Sequence, residues 1–243
     1  MATSYDTIGV NYSDLRRPDT RIEPLISNAL GSAETVLNVG AGTGSYEPAD
    51  RTVTAVEPST EMIRQRGPSA APVVQGYAES LPFGDKSFDA SMAVLTVHHW
   101  TDKQKGLNEM RRVTRGPVVV LTYDPAFRAF WLLDYFPELV ALDEGQMPKM
   151  TDYEDWLGPV AVCHVPIPHD CTDGFLSAYW RRPAAYLDPR IRAAMSSFWK
   201  VGNVSGALSR LEKDLESGAW VKRNSPLLEL DACDCGYRLV MTK

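Results

Sequence analysis

Thr35-Val-Leu-Asn-Val-Gly-Ala-Gly-Thr-Gly44 is the stretch on which the reading of this chain turns. A short run of apolar and β-branched residues, Thr35–Val39, passes into three glycines at alternate positions, Gly40, Gly42 and Gly44. The run has the length and composition of a strand covered on both faces. Glycine behind it lets the backbone turn tightly and approach a ligand with no Cβ in the way. The next such run, Thr52–Val56, ends in Glu57, seventeen residues after Gly40. An acidic side chain there is placed to accept hydrogen bonds from both hydroxyls of a ribose. A dinucleotide loop reads G-x-G-x-x-G, whereas here the third glycine falls one residue early and Ser45 takes the dinucleotide position. That spacing suits a nucleoside ligand with no pyrophosphate to cradle.

Further strands are expected at Pro72–Val74, Phe88–Val94, Val118–Thr122, Val160–Val165 and Tyr237–Met241. They alternate with helical stretches, the pattern of an α/β protein with a doubly wound, mostly parallel sheet of seven strands. Ser59 is placed to cap a helix that stops at Gly67–Pro68, and Asp102–Arg115 sets Leu107, Met110 and Val113 at helical spacing. Val204–Gly218 carries Leu208, Leu211 and Leu215 on one face. Two aromatic-rich insertions follow the fifth and sixth strands, 125–157 and 170–201. Both start at carboxyl strand ends, where open α/β sheets bind ligands. They are expected to form a helical cap. The chain thus divides into an N-terminal lid and helix (1–34), a cofactor-binding core (35–123), the cap with strand 6 (124–201) and a last helix and strand (202–243), all in a single domain.

With 243 residues, 44% hydrophobic and 23% charged, the chain can bury a full core. A formal net charge of -6 argues against general nucleic-acid affinity, which needs clustered Lys and Arg. No apolar run is long enough for a membrane span and residues 1–20 lack a signal-peptide core, so a cytoplasmic protein without membrane partners is expected. Cys163, Cys171, Cys233 and Cys235 form no disulfide or zinc pattern and are read as free thiols. Oligomeric state is not legible.

A third element, Gly76-Tyr-Ala-Glu-Ser-Leu-Pro-Phe83 before Ser87-Phe-Asp-Ala90, selects between the nucleotide classes. Together with the glycine loop and Glu57, it makes residues 35 to about 123 resemble the class I S-adenosylmethionine-dependent methyltransferases, specifically the type 11 group acting on small molecules. The resemblance implies a Rossmann-like fold, S-adenosylmethionine as cofactor and S-adenosylhomocysteine as product. It implies that Gly40, Ala41, Gly42 and Gly44 line the methionine part, that Glu57 holds the ribose, and that Pro58, Met62, Ala78 and Glu79 surround the adenine. Leu95 or Thr96 would contact the amino-acid portion. Asn38 departs from the usual Asp or Glu: it can accept a hydrogen bond but brings no charge. The N-terminal stretch resembles a cofactor lid with Tyr5, Tyr12 and Arg16 or Arg17 facing inward, against the alternative of a surface helix hairpin.

Methyl transfer is an in-line displacement, so the protein positions the acceptor and, where needed, removes its proton. His98-His99-Trp100 follows the fourth strand, where such an acceptor approaches, and one of the two histidines is expected to face it. His169-Asp170 opens the second insertion, either as a base held by a carboxylate or as a polar turn. Trp100, Tyr179 and Trp180 are the aromatic candidates for substrate contact. No metal is expected, because His164, His169, Asp170 and Cys171 lack a ligand spacing. Cys163 and Cys171 do not sit in a thiolate motif for arsenic. The expected activity is methylation of a small molecule in secondary metabolism, with O-methylation favoured. A nicotinamide-dependent oxidoreductase and a cofactor-dependent cyclase remain as alternatives.

Overall fold

A computed structural model describes residues 15–243. Tyr5 and Tyr12 lie outside them. Seven strands, β1 (Thr35–Val39), β2 (Thr52–Glu57), β3 (Val73–Gln75), β4 (Ala90–Val94), β5 (Val118–Tyr123), β6 (Val160–Pro168) and β7 (Ala232–Thr242), make one sheet in the order β3-β2-β1-β4-β5-β7-β6. Every pairing is parallel except those of β7, which runs antiparallel to both β5 and β6. The expected α/β sheet is therefore present. The strand order reverses between β1 and β4, and a crevice opens beyond the carboxyl ends of strands at such a point.

The buried strands are apolar throughout because each face has its own helices to cover. Val36, Met92, Val119 and Leu121 point to one side and pack with Ile26 of α1 (Glu23–Ala29), Leu132 of α4 (Leu132–Tyr135), Leu211 of α9 (Ser205–Glu216) and Trp220 of α10 (Ala219–Asn224). Leu37, Val39, Val118 and Val120 point to the other and meet Leu107, Met110 and Val113 of α3 (Lys103–Val113) and Tyr153 of α6 (Met150–Leu157). The expected helix starts hold. Ser59 accepts from Met62 N–H at 3.2 Å above α2 (Thr60–Arg64), and Asp102 accepts from Lys105 N–H at 2.9 Å above α3.

Several strand boundaries differ from expectation, among them the starts of β4 and β7. Phe88 lies outside β4 and makes only an isolated bridge to Thr114. β7 begins five residues before the expected Tyr237, at Ala232. Its pairing with β6 shifts register between His164↔Arg238 and Pro166↔Asp234, so the polar Ala232–Gly236 stretch belongs to a bulged strand that periodicity hides.

The insertions become α4, α5 (Glu138–Gln146) and α6 after β5, then α7 (Pro189–Ala193) and α8 (Ser196–Lys200) after β6. Most of their aromatic residues are core. Trp131 packs edge-on to Phe130, Tyr135, Tyr186 and Trp220 and donates its indole N–H to the Trp180 carbonyl at 2.8 Å. Trp180 is fully buried and donates to the Ile167 carbonyl at 2.9 Å. Among the described residues, no helix is long and apolar enough to cross a membrane.

One buried carboxylate joins the segment before α1, the glycine loop and the second insertion. Asp173 is fully buried, accepts from Arg16 Nε at 2.6 Å and from the Tyr46 hydroxyl at 3.0 Å. The Tyr46 oxygen in turn accepts from Asp19 N–H at 3.2 Å, and Asp19 accepts from Thr172 N–H at 3.0 Å. Removing one member of such a set strands the others without water. Asp173→Ala is thus expected to lower the unfolding free energy by about 3–5 kcal/mol, measured by urea denaturation. A loss below about 1 kcal/mol, the level of an exposed pair, would contradict the role assigned to Asp173.

Candidate cofactor and acceptor site

A cavity of about 670 Å³ fills the crevice at the strand reversal, within the usual range for a ligand site. Its floor is the glycine loop. Gly40 has φ +68°, and a Cβ there would meet Thr96 Oγ1 at 2.2 Å, so the loop after β1 touches the loop after β4 only because residue 40 has no side chain. A Cβ at Gly42 would meet nothing within 4 Å, which leaves that side of the loop open to the cavity. Glu57, 5% exposed at the end of β2, accepts from Gly42 N–H at 2.8 Å and from Ser59 N–H at 2.9 Å. One carboxylate therefore fixes the loop, holds the start of α2 and lines the cavity.

Asn38, Gly40, Ala41, Gly42, Glu57, Pro58, Met62, Ala78, Glu79, Leu95, Thr96, His98, His99 and Trp100 all line this cavity. Gly44 does not. It turns away, where a Cβ would meet Glu47 Oε2 at 3.0 Å and Arg66 at 3.4 Å. Arg16, not Arg17, is the inward arginine: Arg16 lines the cavity and Arg17 is exposed. Thr43 and Tyr77, from the two quoted motifs, also line it, as do Tyr46, Thr101 and Lys200, which lie outside any motif.

The lining fits the cofactor that the resemblance implies. Asn38 donates its Nδ2 to Glu47 Oε1 at 3.1 Å, which turns its Oδ1 the other way. That Oδ1 is buried and, among the described residues, has no hydrogen-bond partner. A buried acceptor left unmatched costs about 1–3 kcal/mol, and an ammonium group would satisfy it. Glu47 is held in turn by Arg66 at 2.7 Å, a buried pair behind the loop. Asn38, Glu57 and the apolar Met62 and Ala78 thus present an acceptor for an amine, an acceptor for a ribose and a slot for a flat ring.

A second, smaller cavity of about 50 Å³ adjoins the first, sharing Arg16, Leu95 and His98 with it. Tyr123, Phe175, Tyr237, Met147 and Met195 form its apolar walls, and Asp143 and Ser197 line it too. Leu95 at the junction has φ +51°, a backbone conformation that costs a side-chain-bearing residue about 1–3 kcal/mol and concentrates at functional sites. Asp143 was not singled out by the sequence reading. Its signal is the spacing to Leu139: the two lie one turn apart on α5 and both are buried.

Burial, then the neighbouring His99, Lys200, Arg16 and Lys103 charges, drive the His98 imidazole well below its ordinary pKa. His99 is driven down to about 3 by burial and by Lys200, Arg16 and Lys103. Both are neutral imidazoles, their rings 3.9 Å apart, that exchange hydrogen bonds more readily than protons. His169 does not join them. It is half-exposed at the end of β6, with Nδ1 3.2 Å from the Asp231 carbonyl, and lines neither cavity. The turn reading replaces the base reading there. Tyr179 and Trp180 likewise line neither cavity, Tyr179 being stacked under Arg182. Cys171 and Cys235 are buried, Cys233 half-buried and Cys163 exposed, all as thiols.

Residues 37–120 match the family model described as "Methyltransferase domain". A solved structure, a putative methyltransferase from an antibiotic biosynthesis pathway of Anabaena variabilis, is 35% identical with a TM-score of 0.86, covering 94% of this chain and 99% of that one. A 2-methyl-6-phytyl-1,4-hydroquinone methyltransferase of Oryza sativa is 27% identical over 63% of this chain and 47% of its own length. A demethylmenaquinone methyltransferase of Renibacterium salmoninarum is 34% identical over 44% of this chain and 49% of its own length. The chain spans about half the length of these curated relatives.

Two outcomes test the site. Glu57→Ala is expected to weaken S-adenosylhomocysteine binding by about 1.5–3 kcal/mol per lost charge-assisted hydrogen bond, read by titration calorimetry. Unchanged affinity would remove Glu57 from the site. The histidines set the sign of an acid effect. Their native pKa values lie below the unfolded one, so the unfolded state binds more protons and stability falls as pH drops below about 6.5. Replacing both His98 and His99 by Phe should flatten that limb in denaturation measured across pH. An unchanged limb would place the acid sensitivity elsewhere.

Proposed function

Because the chain belongs to the class I S-adenosylmethionine-dependent methyltransferases, we propose that it methylates a small hydroxylated aromatic molecule, at oxygen. The observation that carries this reading is the small cavity of Tyr123, Phe175, Tyr237, Met147 and Met195 opening at Leu95 and His98 onto the cofactor cavity. Aromatic and thioether walls favour a flat, apolar ring through burial and edge contacts. Its size admits the reacting end of an acceptor, with the remainder left in the larger cavity.

S-adenosylmethionine, when bound, supplies an electrophilic methyl group on a positively charged sulfur. The residues of this chain do the rest. Asn38 and Glu57 would hold the ligand's amine and ribose, with the loops after β1 and β4 forming the cavity around it. Leu95 and His98 stand where the two cavities meet, so the acceptor has to arrive past them. His98 and His99, being neutral, orient an acceptor hydroxyl by accepting from it or donating to it. Tyr123 and Tyr237 are pushed to higher pKa by burial and remain protonated donors. The apolar walls of the small cavity give water few partners beside the acceptor. Cytoplasmic location and one domain over the four segments given above belong to the same reading.

A second reading has its own support. Both curated relatives bear names of quinone-type acceptors, and an ionised phenol is nucleophilic at ring carbon as well as at oxygen. Transfer to carbon uses the same pocket and the same removal of the hydroxyl proton, and the ring carbon that gains the methyl group then gives up its own proton so that the phenol is restored.

Incubation with S-adenosylmethionine and a panel of phenols and hydroquinones is expected to give S-adenosylhomocysteine and a product carrying one added methyl group, with NMR assigning oxygen or carbon. Turnover should survive a chelator, since among the described residues no three His, Cys, Asp or Glu side chains converge on a metal position. A product of unchanged mass would favour the cyclase alternative. Tight binding of a nicotinamide dinucleotide would overturn the reading.

A further inference from the structure

Asp143 is a carboxylate in a place that disfavours carboxylates. It is 4% exposed, on the inner face of α5, in a cavity otherwise walled mainly by Tyr123, Met147, Phe175, Met195 and Tyr237. No arginine or lysine pairs with it among the described ion pairs, although most acids buried elsewhere in the chain are paired. Its single hydrogen bond among the described residues is a long 3.5 Å contact from Gln146 Nε2. Gln146 is itself occupied by Lys200 Nζ at 2.6 Å on its other amide atom. A buried, weakly satisfied carboxylate costs stability, and such groups collect where a ligand completes them.

We propose that Asp143 is the proton acceptor for the hydroxyl of the acceptor molecule, and that the small cavity is a subsite for a neutral phenol. The inference rests on the methyltransferase reading and deepens it. As the phenol O–H bond breaks, its proton passes to an Asp143 oxygen, and the freed electron pair forms the bond to the methyl carbon. The bond from that carbon to sulfur breaks in the same displacement, and its electron pair leaves with sulfur as a neutral thioether. Charge balances, because a carboxylate and a sulfonium become a carboxylic acid and a thioether. The two histidines beside the cavity are poor proton acceptors, and Tyr123 and Tyr237 hold their protons, so Asp143 is the group in this subsite able to take one.

The groups facing Asp143 from the packed elements are Tyr123 of β5, Tyr237 of β7, His98 after β4, Arg16, Arg128 before α4 and Lys200 of α8. Burial dominates over the opposing Gln146 contact and the Arg128 and Lys200 charges, and pushes the carboxyl up to about 6. The group is ionised and ready at neutral pH, and its capacity is lost as pH falls through about 6.

The test uses 4-nitrophenol, whose anion is coloured, and 4-nitroanisole, which has the same ring and no hydroxyl proton. Titrations are made on the full chain saturated with S-adenosylhomocysteine, in wild type and in Asp143→Asn, at about pH 6.5 and below, where 4-nitrophenol is mostly neutral by its own colour and, at the upper end, Asp143 is mostly ionised. Wild type is expected to bind 4-nitrophenol about tenfold more tightly than 4-nitroanisole, the value of one charge-assisted hydrogen bond. Asp143→Asn should erase most of that difference while 4-nitroanisole stays within about twofold. The decline in 4-nitrophenol affinity below about pH 6 should vanish in the variant. Thermal stability above that pH should rise, because a group that prefers its proton in the folded state destabilises the fold once ionised. Equal affinity for both probes in wild type, equal losses for both in the variant, or an acid limb that persists without Asp143 would each overturn the proposal. S-adenosylhomocysteine affinity is measured alongside. Its absence in wild type would instead strike the cofactor assignment, and its constancy in Asp143→Asn separates the two.

Discussion

The structure depends on one close approach. The loop leaving β1 and the loop leaving β4 pass so near each other that a Cβ at residue 40 would lie 2.2 Å from Thr96 Oγ1. Real side-chain carbons do not come that close, so glycine is the residue that closes the floor of the crevice. Everything functional stands on that floor. Gly42 opens into the cavity, Glu57 ties the loop back to β2, and Leu95 takes up a strained conformation beside Thr96. The strain is offset by rigid surroundings: Leu95 N–H is fixed to the Leu121 carbonyl at 2.8 Å, and β4 lies between β1 and β5.

Around this floor the electrostatics are arranged in two layers. The outer layer consists of ion pairs, such as Arg66 with Glu47 behind the glycine loop and Arg16 with Asp173 at the junction with the second insertion. These hold geometry, Arg16 while also lining both cavities. The inner layer is left short of partners. Asn38 Oδ1 has none among the described residues, and Asp143 has one long contact. Asn38 has Glu47 to orient it: the amide nitrogen is used up on that carboxylate, and the oxygen is left for the cavity. An Asp at position 38 would set two carboxylates against each other, which gives the departure from the family's acidic residue a physical reason.

Much of this was legible in the sequence, and the reasons differ by element. The β1 run, the glycines and Glu57 are contiguous or regularly spaced, so local pattern was enough to place the cofactor side. The cap was not legible in the same way. Its aromatic residues look alike in sequence, yet Trp131 and Trp180 are locked into the core by indole hydrogen bonds while Phe175 faces the small cavity. Only the packing of short helices against β5, β6 and β7 separates them. His169 stayed open between a base and a turn because a strand end beside a carboxylate fits both, and in the structure its ring lies by the Asp231 carbonyl, outside both cavities. Asp143 was hidden for the opposite reason. Acids on amphipathic helices normally face water, and the one-turn spacing to buried Leu139 is too slight a signal to override that expectation.

The central claim is that the crevice between β1 and β4 holds the cofactor with its reactive sulfur toward Leu95 and His98, next to the small aromatic cavity. A crystal structure of the chain with S-adenosylhomocysteine tests it most directly. The account predicts the ribose hydroxyls on Glu57, the ammonium group on Asn38 Oδ1 and the sulfur facing the Leu95–His98 junction. A ligand bound elsewhere, or in this crevice with its sulfur turned away from that junction, would contradict it.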